Sequence, residues 1–279
     1  MINVAKRMKH LHTLAKRDPR KRFTALWKMV TTEEWLAQAW EEIRTNKGSQ
    51  TPGIDGHTAA DVDLARIRQL SARLRAGTYR PKPVRRVYIP KDNGKTRSLG
   101  VLTIEDRLVQ QALRMVLEPI FEADFLPCSH GFRYGRSPQT ALRQVVQLYP
   151  KVSWIIETDV TACFDNIPRN QLMCALQRRI AYGRILSLVK RFLEAGYMED
   201  WRYHRTYSGI AQGGILSPPT MLRTLLLWAR SIRVGTNTKH DRHFLFINLH
   251  ASHQRSNNLA LHLPIRRGQI PLHLRHKLL

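Results

Sequence analysis

The chain is 279 residues long and 43% hydrophobic, with 46 Lys and Arg against 21 Asp and Glu, a formal net charge of +25. That apolar share suits a globular protein and excludes a disordered one, and the length allows one large domain or two small ones, each able to bury a core. The charge calls for a polyanionic partner, most commonly nucleic acid, while no apolar run is long enough to span a bilayer.

Cys128, Cys163 and Cys174 have no metal-type spacing, and their odd number fits a reducing compartment better than a disulfide framework. Val4 to Lys16 forms a basic amphipathic start. It can mimic an organelle transit peptide, but it lacks the apolar core and cleavage site of a secretory signal. Thr31-x-x-Glu34 matches a capping box and predicts a helix running towards Arg44. Asn46 to Gly56 is dense in Gly, Pro and Asn and reads as a loop. Leu64, Ile67, Leu70 and Leu74 recur at helical spacing between Asp63 and Arg75, and Gly77 is a suitable stop.

Val84 to Pro90 alternates Val84, Arg86 and Tyr88 against Arg85, Val87 and Ile89, and an Asp92-Asn93-Gly94 turn follows, predicting a β-hairpin. Thr103-x-x-Asp106 opens a long helix to about Glu122, and Ser137-Pro138 opens another. Val152 to Val160 predicts a strand and Pro168 to Ile180 a helix. From Pro219 onward the composition changes: Leu, His, Arg, Asn and Thr dominate, and apolar residues lose any sustained period. A His-rich metal segment is one reading, but no Cys or carboxylate cluster supports it. A shift of reading frame near Pro218 or Pro219 explains the change better, and makes 219–279 a tail that is out of frame or poorly ordered.

On the predicted strand Ile155, Glu157 and Asp159 share one face. A carboxylate there is costly unless it meets a cation or hydrogen-bond donors. An ordinary salt bridge satisfies that need, and so does a metal ion. Lys91 and Arg97 flank the hairpin turn, where two cations can meet one phosphate cluster or simply remain solvated.

Two segments carry a family resemblance. They are Trp154-Ile-Ile-Glu-Thr-Asp-Val-Thr-Ala-Cys-Phe-Asp-Asn-Ile167 and Ala211-Gln-Gly-Gly-Ile-Leu-Ser-Pro218. Together they resemble the early palm motifs of reverse transcriptases, specifically those encoded by group II introns. Thr51-Pro-Gly-Ile-Asp-Gly56 is similar to that lineage's N-terminal extension motif, and Tyr79 to Lys91, Leu99-Gly100 and Asp106-Arg107-Leu-Val-Gln110 resemble its fingers. Ser129-His-Gly-Phe-Arg-Tyr-Gly-Arg-Ser137 is also typical, so the resemblance covers roughly residues 20 to 218.

The resemblance implies an α+β fold: the fingers and an incomplete palm of a right-hand polymerase, helix-rich, with a β-hairpin and a partial antiparallel sheet. It implies an N-terminal extension over 1–60 and fingers with partial palm over 61–218, ahead of the atypical tail. In such enzymes Asp159 would hold Mg²⁺ and serve catalysis. Lys91, Arg97 and Gln212 would bind the incoming nucleotide, and Phe164 would pack under its sugar and exclude a 2′-hydroxyl. Arg85, Arg86, Arg133 and Arg136 would contact RNA. Implied partners are template RNA, intron RNA, a DNA primer and deoxynucleoside triphosphates, in a bacterial cytoplasm or an organelle, with the basic N-terminus as an RNA-binding arm.

One departure bears on activity. The family continues into an aromatic-Ala-Asp-Asp motif, whereas this sequence has no Asp-Asp pair and only Asp241 as an acidic residue beyond Pro218. The expectation is a fragment of an RNA-directed DNA polymerase, truncated after about Pro218 and inactive alone. The alternatives are a non-catalytic RNA-binding protein of the same descent, or a decayed reading frame.

Overall fold

A computed structural model of the chain describes residues 3–90, 94, 96–148, 154–157, 168–206, 214–215 and 244–247, with 154–157 and 244–247 described by backbone alone. The chain divides into units 1–249 and 250–279, and the second lies outside the described residues. The first is helix-rich with small sheets, the α+β architecture expected.

Its axis is α5 (Ile104–Glu122). Thr103 caps this helix, accepting from the Asp106 amide at 3.2 Å, and the Thr103-to-Glu122 span read from sequence matches it closely. Nearly every face is apolar, so the helix is buried all round, from Ile104 to Phe121. Pro119 sits inside it and cannot donate to the preceding turn.

Four helices pack around this axis or against its neighbours. The first, α1 (Val4–Arg17), buries Val4, Leu11 and Ala15 and sends His12 Nδ1 to the Pro119 carbonyl at 3.1 Å. The basic start is thus no free arm: an apolar stripe docks it into the core, and its outer face alone is open. After α2 (Leu26–Val30), α3 (Glu33–Arg44) buries Trp35, whose indole N–H donates to the Ala112 carbonyl at 2.9 Å. The cap of α3 is Thr32, not Thr31. Thr31 is buried and closes α2 instead, its hydroxyl donating to the Trp27 carbonyl. A box read one residue early is the usual error where two Thr are adjacent.

Next, α4 (Leu64–Ala76) runs between Asp63, which accepts from the Arg66 amide at 2.7 Å, and Gly77 in a left-handed conformation (φ +73°). Ile67, Leu70 and Leu74 are buried as their spacing predicts, but Leu64, in the first turn, is 66% exposed.

The predicted hairpin is β1 (Val84–Pro90) and β2 (Thr96–Val101), antiparallel from Arg85↔Val101 to Pro90↔Thr96. After α6 (Pro138–Leu148), β3 (Trp154–Glu157), α7 (Arg169–Gln177) and α8 (Gly183–Glu194) comes a second hairpin, β4 (Tyr197–Glu199) and β5 (Arg202–His204). The four hairpin strands form one sheet in the order β2-β1-β4-β5. It is mixed: two antiparallel hairpins meet along a parallel β1–β4 seam, because helices intervene between them in the chain. Strand β3 pairs in parallel with β6 (Phe244–Ile247), Trp154 opposite Phe244.

The C-terminal ends of α1, α5 and α7 are tied together by Arg179. Its guanidinium is 1% exposed, donates to the Ala15 and Asp18 carbonyls at 2.9 Å each, and lies 3.4 Å from the Asp124 carboxylate. Beside it the Phe23 amide donates to the Arg179 carbonyl at 2.7 Å, and Ala181 returns a bond to Phe23.

Candidate nucleic-acid interface

The arginines of the fingers fall into two groups once their partners are known. Arg107 reaches back from the first turn of α5 to the carbonyls of Leu102, Gly48 and Thr51, at 3.0 Å and 2.7 Å for the first and last. Arg85 forks onto the Pro52 carbonyl at 2.8 and 3.2 Å, and Lys82 meets Asp55 at 3.3 Å. The Thr51–Gly56 motif is therefore a clasp seated on the fingers by three cations. Gly53 is required by contact: a Cβ there would sit 2.6 Å from Thr103 Cα. Arg133 is held just as firmly, with its side chain 7% exposed, its Nε on Glu122 at 3.0 Å, and the Ser129 and Leu126 carbonyls at 2.6 and 2.9 Å. Arg86 lies with its guanidinium carbon 3.4 Å from the Tyr197 ring centroid, and one of its nitrogens is 3.8 Å from the Glu199 carboxylate.

Of the residues read from sequence as RNA contacts, then, Arg85, Arg86 and Arg133 have their donors engaged within the fold, and Arg136 alone is exposed with no side-chain partner among the described residues. Of the nucleotide-binding set, Arg97 opposes Ile89 near the hairpin turn, on the same sheet face as Arg85. Lys91, Asp159, Phe164 and Gln212 lie outside the described residues. In the Ala211–Pro218 segment Gly214 and Ile215 are described, and Ile215 packs against the core.

The basic N-terminus, expected from sequence as an RNA-binding arm, takes the form of the outer surface of α1, the turn after it and the middle of α2. Lys6, Arg7, Lys9, Lys16, Arg17, Arg20, Lys21, Arg22 and Lys28 are all exposed, with Asp18 the one acid among them. None of these nine side chains has a partner among the described residues. Their signal lay in the sequence as basic residues interleaved with the Val4, Leu11, Ala15 stripe. An array of free, solvated cations is the footprint that phosphate backbones require.

A second electrostatic feature lies at the start of α5. Glu105 accepts from Arg73 at 2.6 Å and Arg66 at 2.9 Å. Burial works to raise its pKa, but the two guanidiniums outweigh it and the carboxyl titrates below its ordinary range. Its neighbour Asp106 is buried, accepts from the Tyr79 hydroxyl and takes the Lys82 amide at 3.1 Å. Desolvation dominates there and lifts its pKa to about 6, against those hydrogen bonds. The same burial and the facing Asp106 push the Tyr79 phenol well upward. This pair fixes the 77–83 connection to α5, so it reads as structural.

Members of the family to which the motifs point work with divalent metal ions. Among the described residues no group of three or more His, Cys, Asp or Glu could hold one. The sequence supplies Asp159 but no Asp-Asp pair to stand with it. That donor set does not fit a two-ion site, which needs several carboxylates around both metals.

Comparison with known proteins agrees with the motifs. The profile of the family described as "Reverse transcriptase (RNA-dependent DNA polymerase)" matches residues 89–247. The chain is 42% identical over 197 residues to the group II intron-encoded protein LtrA of Lactococcus lactis subsp. cremoris, covering 70% of this chain and 33% of that protein. It is 39% identical over 223 residues to protein YkfC of Escherichia coli (strain K12), covering 77% of this chain and 58% of that one. Among solved structures, a partial Cas6-RT-Cas1–Cas2 complex shares the fold at a TM-score of 0.50 and 22% identity, over 73% of this chain and 34% of that one. The chain thus spans a third of the first relative's length and somewhat over half of the second's. With the profile matching more than half of its length, the chain belongs to the reverse transcriptase family, with group II intron-encoded proteins among its relatives.

Proposed function

We propose that this chain forms the RNA-holding front of a group II intron reverse transcriptase and maturase: an N-terminal extension over 1–60, fingers with the first part of the palm over 61–218, and a tail over 219–279. The observation that carries the reading is the family match over 89–247, joined to a surface of exposed cations on α1 with no side-chain partner among the described residues. Template or intron RNA lies against Lys6, Arg7, Lys9, Lys16, Arg17 and the basic turn, with Arg136 contributing from the fingers. The tied arginines Arg85, Arg86 and Arg133 act by shaping that surface. Arg97, with Lys91, Gln212 and Phe164, belongs to the nucleotide side, and Asp159 is the inherited Mg²⁺ ligand. No helix among the described residues is long and apolar enough to cross a membrane. A bacterial cytoplasm or an organelle is the setting we infer.

In this reading the chain alone binds RNA without copying it, because Asp159 has no Asp-Asp partner. Primer extension on an RNA template with Mg²⁺, beside RNA binding over a range of salt, tests both halves. The expected result is no extended primer and binding that weakens steeply with salt. Full-length product that disappears in Asp159→Ala would overturn the inactivity. Binding no tighter than that of a generic basic protein would overturn the RNA role. A non-catalytic RNA-binding protein of the same descent is the second reading, favoured by Asp241 being the sole acid beyond Pro218. It predicts RNA affinity equal in Asp159→Ala and the parent protein.

A further inference from the structure

The β4–β5 hairpin turns in two residues, Asp200 and Trp201, with Glu199 paired to Arg202 across it. Both turn residues have positive φ, 47° and 61°. Two-residue hairpins favour this backbone, and normally fill it with Asn-Gly or Asp-Gly, because a side chain at the second position is strained. Asp tolerates the left-handed region; a bulky aromatic residue rarely does. Here Trp occupies the position glycine would take, and it is 93% exposed. The strain therefore gains no packing within the chain. Strain held without internal compensation marks places where a ligand is expected.

The surroundings indicate which ligand. One face of the sheet carries Arg86, Tyr88, Tyr197, Glu199, Arg202 and His204. Tyr197 and His204 stack with centroids 4.9 Å apart and planes 11° from parallel, and Arg86 lies over the Tyr197 ring. Tyr88 is exposed, and its hydroxyl donates to Glu199, which Arg86 also faces. The Glu199 charge is thereby engaged inside the sheet. Arg202, its cross-strand neighbour, is exposed with no side-chain partner among the described residues. The tip thus presents an open indole, an exposed phenol and a guanidinium that, like the Asp200 carboxylate, has no side-chain partner among the described residues.

We propose that this hairpin tip is a stacking platform for single-stranded nucleic acid, in which unpaired bases lie on Trp201 and Tyr88 and a phosphate meets Arg202. Aromatic faces interleaved with cations are how unpaired strands are held without regard to sequence. A duplex, whose bases are already stacked, gains nothing from the indole. Asp200 repels phosphate and steers the backbone to the Arg202 side. On a chain of net charge +25 the complementary occupant is a polyanion rather than an apolar protein surface. The proposal deepens the RNA-holding reading and rests on it.

The test uses the full chain, a labelled single-stranded oligouridylate and a duplex RNA of equal length, at several salt concentrations. Trp201→Ala is expected to weaken oligouridylate binding about five- to a hundredfold. Duplex affinity and the salt slope should not change, and Trp201→Phe should keep most of the affinity. Trp201→Gly should unfold at no lower temperature than the parent, since glycine relieves the turn. Unchanged oligouridylate binding in Trp201→Ala, while the parent binds RNA well, overturns the platform and leaves the RNA reading standing. A parent chain that binds neither RNA better than a generic basic protein removes both. Loss of duplex binding together with a lowered unfolding temperature would show a scaffolding Trp and overturn the platform. So would a change of oligomeric state in sedimentation with oligouridylate binding intact, which would make the tip a protein contact.

Discussion

Two regions of this molecule are rich in cations and use them in opposite ways. Around α5, Arg66, Arg73, Arg107, Arg133 and Arg179 each have named partners, carboxylates or backbone carbonyls, at hydrogen-bond or ion-pair distance. On the outer side of α1 and the segment from its following turn through α2, nine cations face solvent beside a single acid. The net charge of +25 counts both groups alike. A basic sequence can serve as a surface for polyanions only where the fold leaves the charge without a partner. Where carbonyls and carboxylates converge, the same residue type is cement.

The comparison can be broken most forcefully at Arg179. Removing it takes a buried cation from beside Asp124 and leaves the carbonyls of Ala15 and Asp18 without its two hydrogen bonds. Arg179→Ala is expected to lower stability by about 3–5 kcal/mol, the usual cost of orphaning a buried ion pair. Urea unfolding measures it, and a loss near zero would mean the clamp holds nothing.

Next in size is a pH effect at Asp106. Its carboxyl is raised from 3.8 to about 6 by burial, so between those values the folded chain holds a proton that the unfolded chain has released. This contribution to stability is complete below about pH 4 and is lost as pH rises through 6, at up to ~1.4 kcal/mol per pH unit. The stability difference between the parent and Asp106→Asn should therefore shrink across that window in urea titrations. A difference that is flat with pH would show the carboxyl to be ionised throughout.

A smaller change, and on binding rather than folding, is expected at the free cations. Replacing Lys6, Arg7, Lys9, Lys16 and Arg17 together by Gln should weaken RNA binding about ten- to a hundredfold at moderate salt and flatten the salt dependence. Stability should move little, as for other surface substitutions away from packed features. Equal losses of RNA affinity from Arg85→Gln, which is tied to Pro52, would erase the distinction between the two regions. Least of all, Thr32→Ala should cost about 1 kcal/mol through loss of the α3 cap. Thr31→Ala would remove a bond to the Trp27 carbonyl instead, so the two variants tell the cap from its neighbour in thermal unfolding.

Much of the fold was legible because its signals are local. The span of α5, the Asp63 and Gly77 ends of α4 and the alternation through Val84–Pro90 all follow from spacing and caps within a few residues. Arg179 was not legible, since its carbonyl partners lie some 160 residues away, its acid lies in another element, and nothing beside it in sequence announces a buried charge. Nor could sequence separate Arg133, enclosed by Glu122 and two carbonyls, from Arg136, three residues on and open. Motif resemblance led to the right family, yet within a motif it assigns roles by residue type. Whether a guanidinium is free depends on what the tertiary structure folds over it. The Trp201 turn escaped for a related reason: a Trp beside an Asp carries no turn signal, and its strain is visible only in the backbone.

The Arg179 clamp also sets a schedule for synthesis. Its acceptors, Ala15 and Asp18, leave the ribosome first, and the guanidinium that closes on them follows some 160 residues later. At about 5–20 residues per second that interval is roughly 10–30 s. Throughout it, the apolar stripe of α1 must find α5 or wait uncovered, while its cations already face the surrounding solution. A nascent chain of this kind can meet RNA before its own N-terminal helix is locked in place.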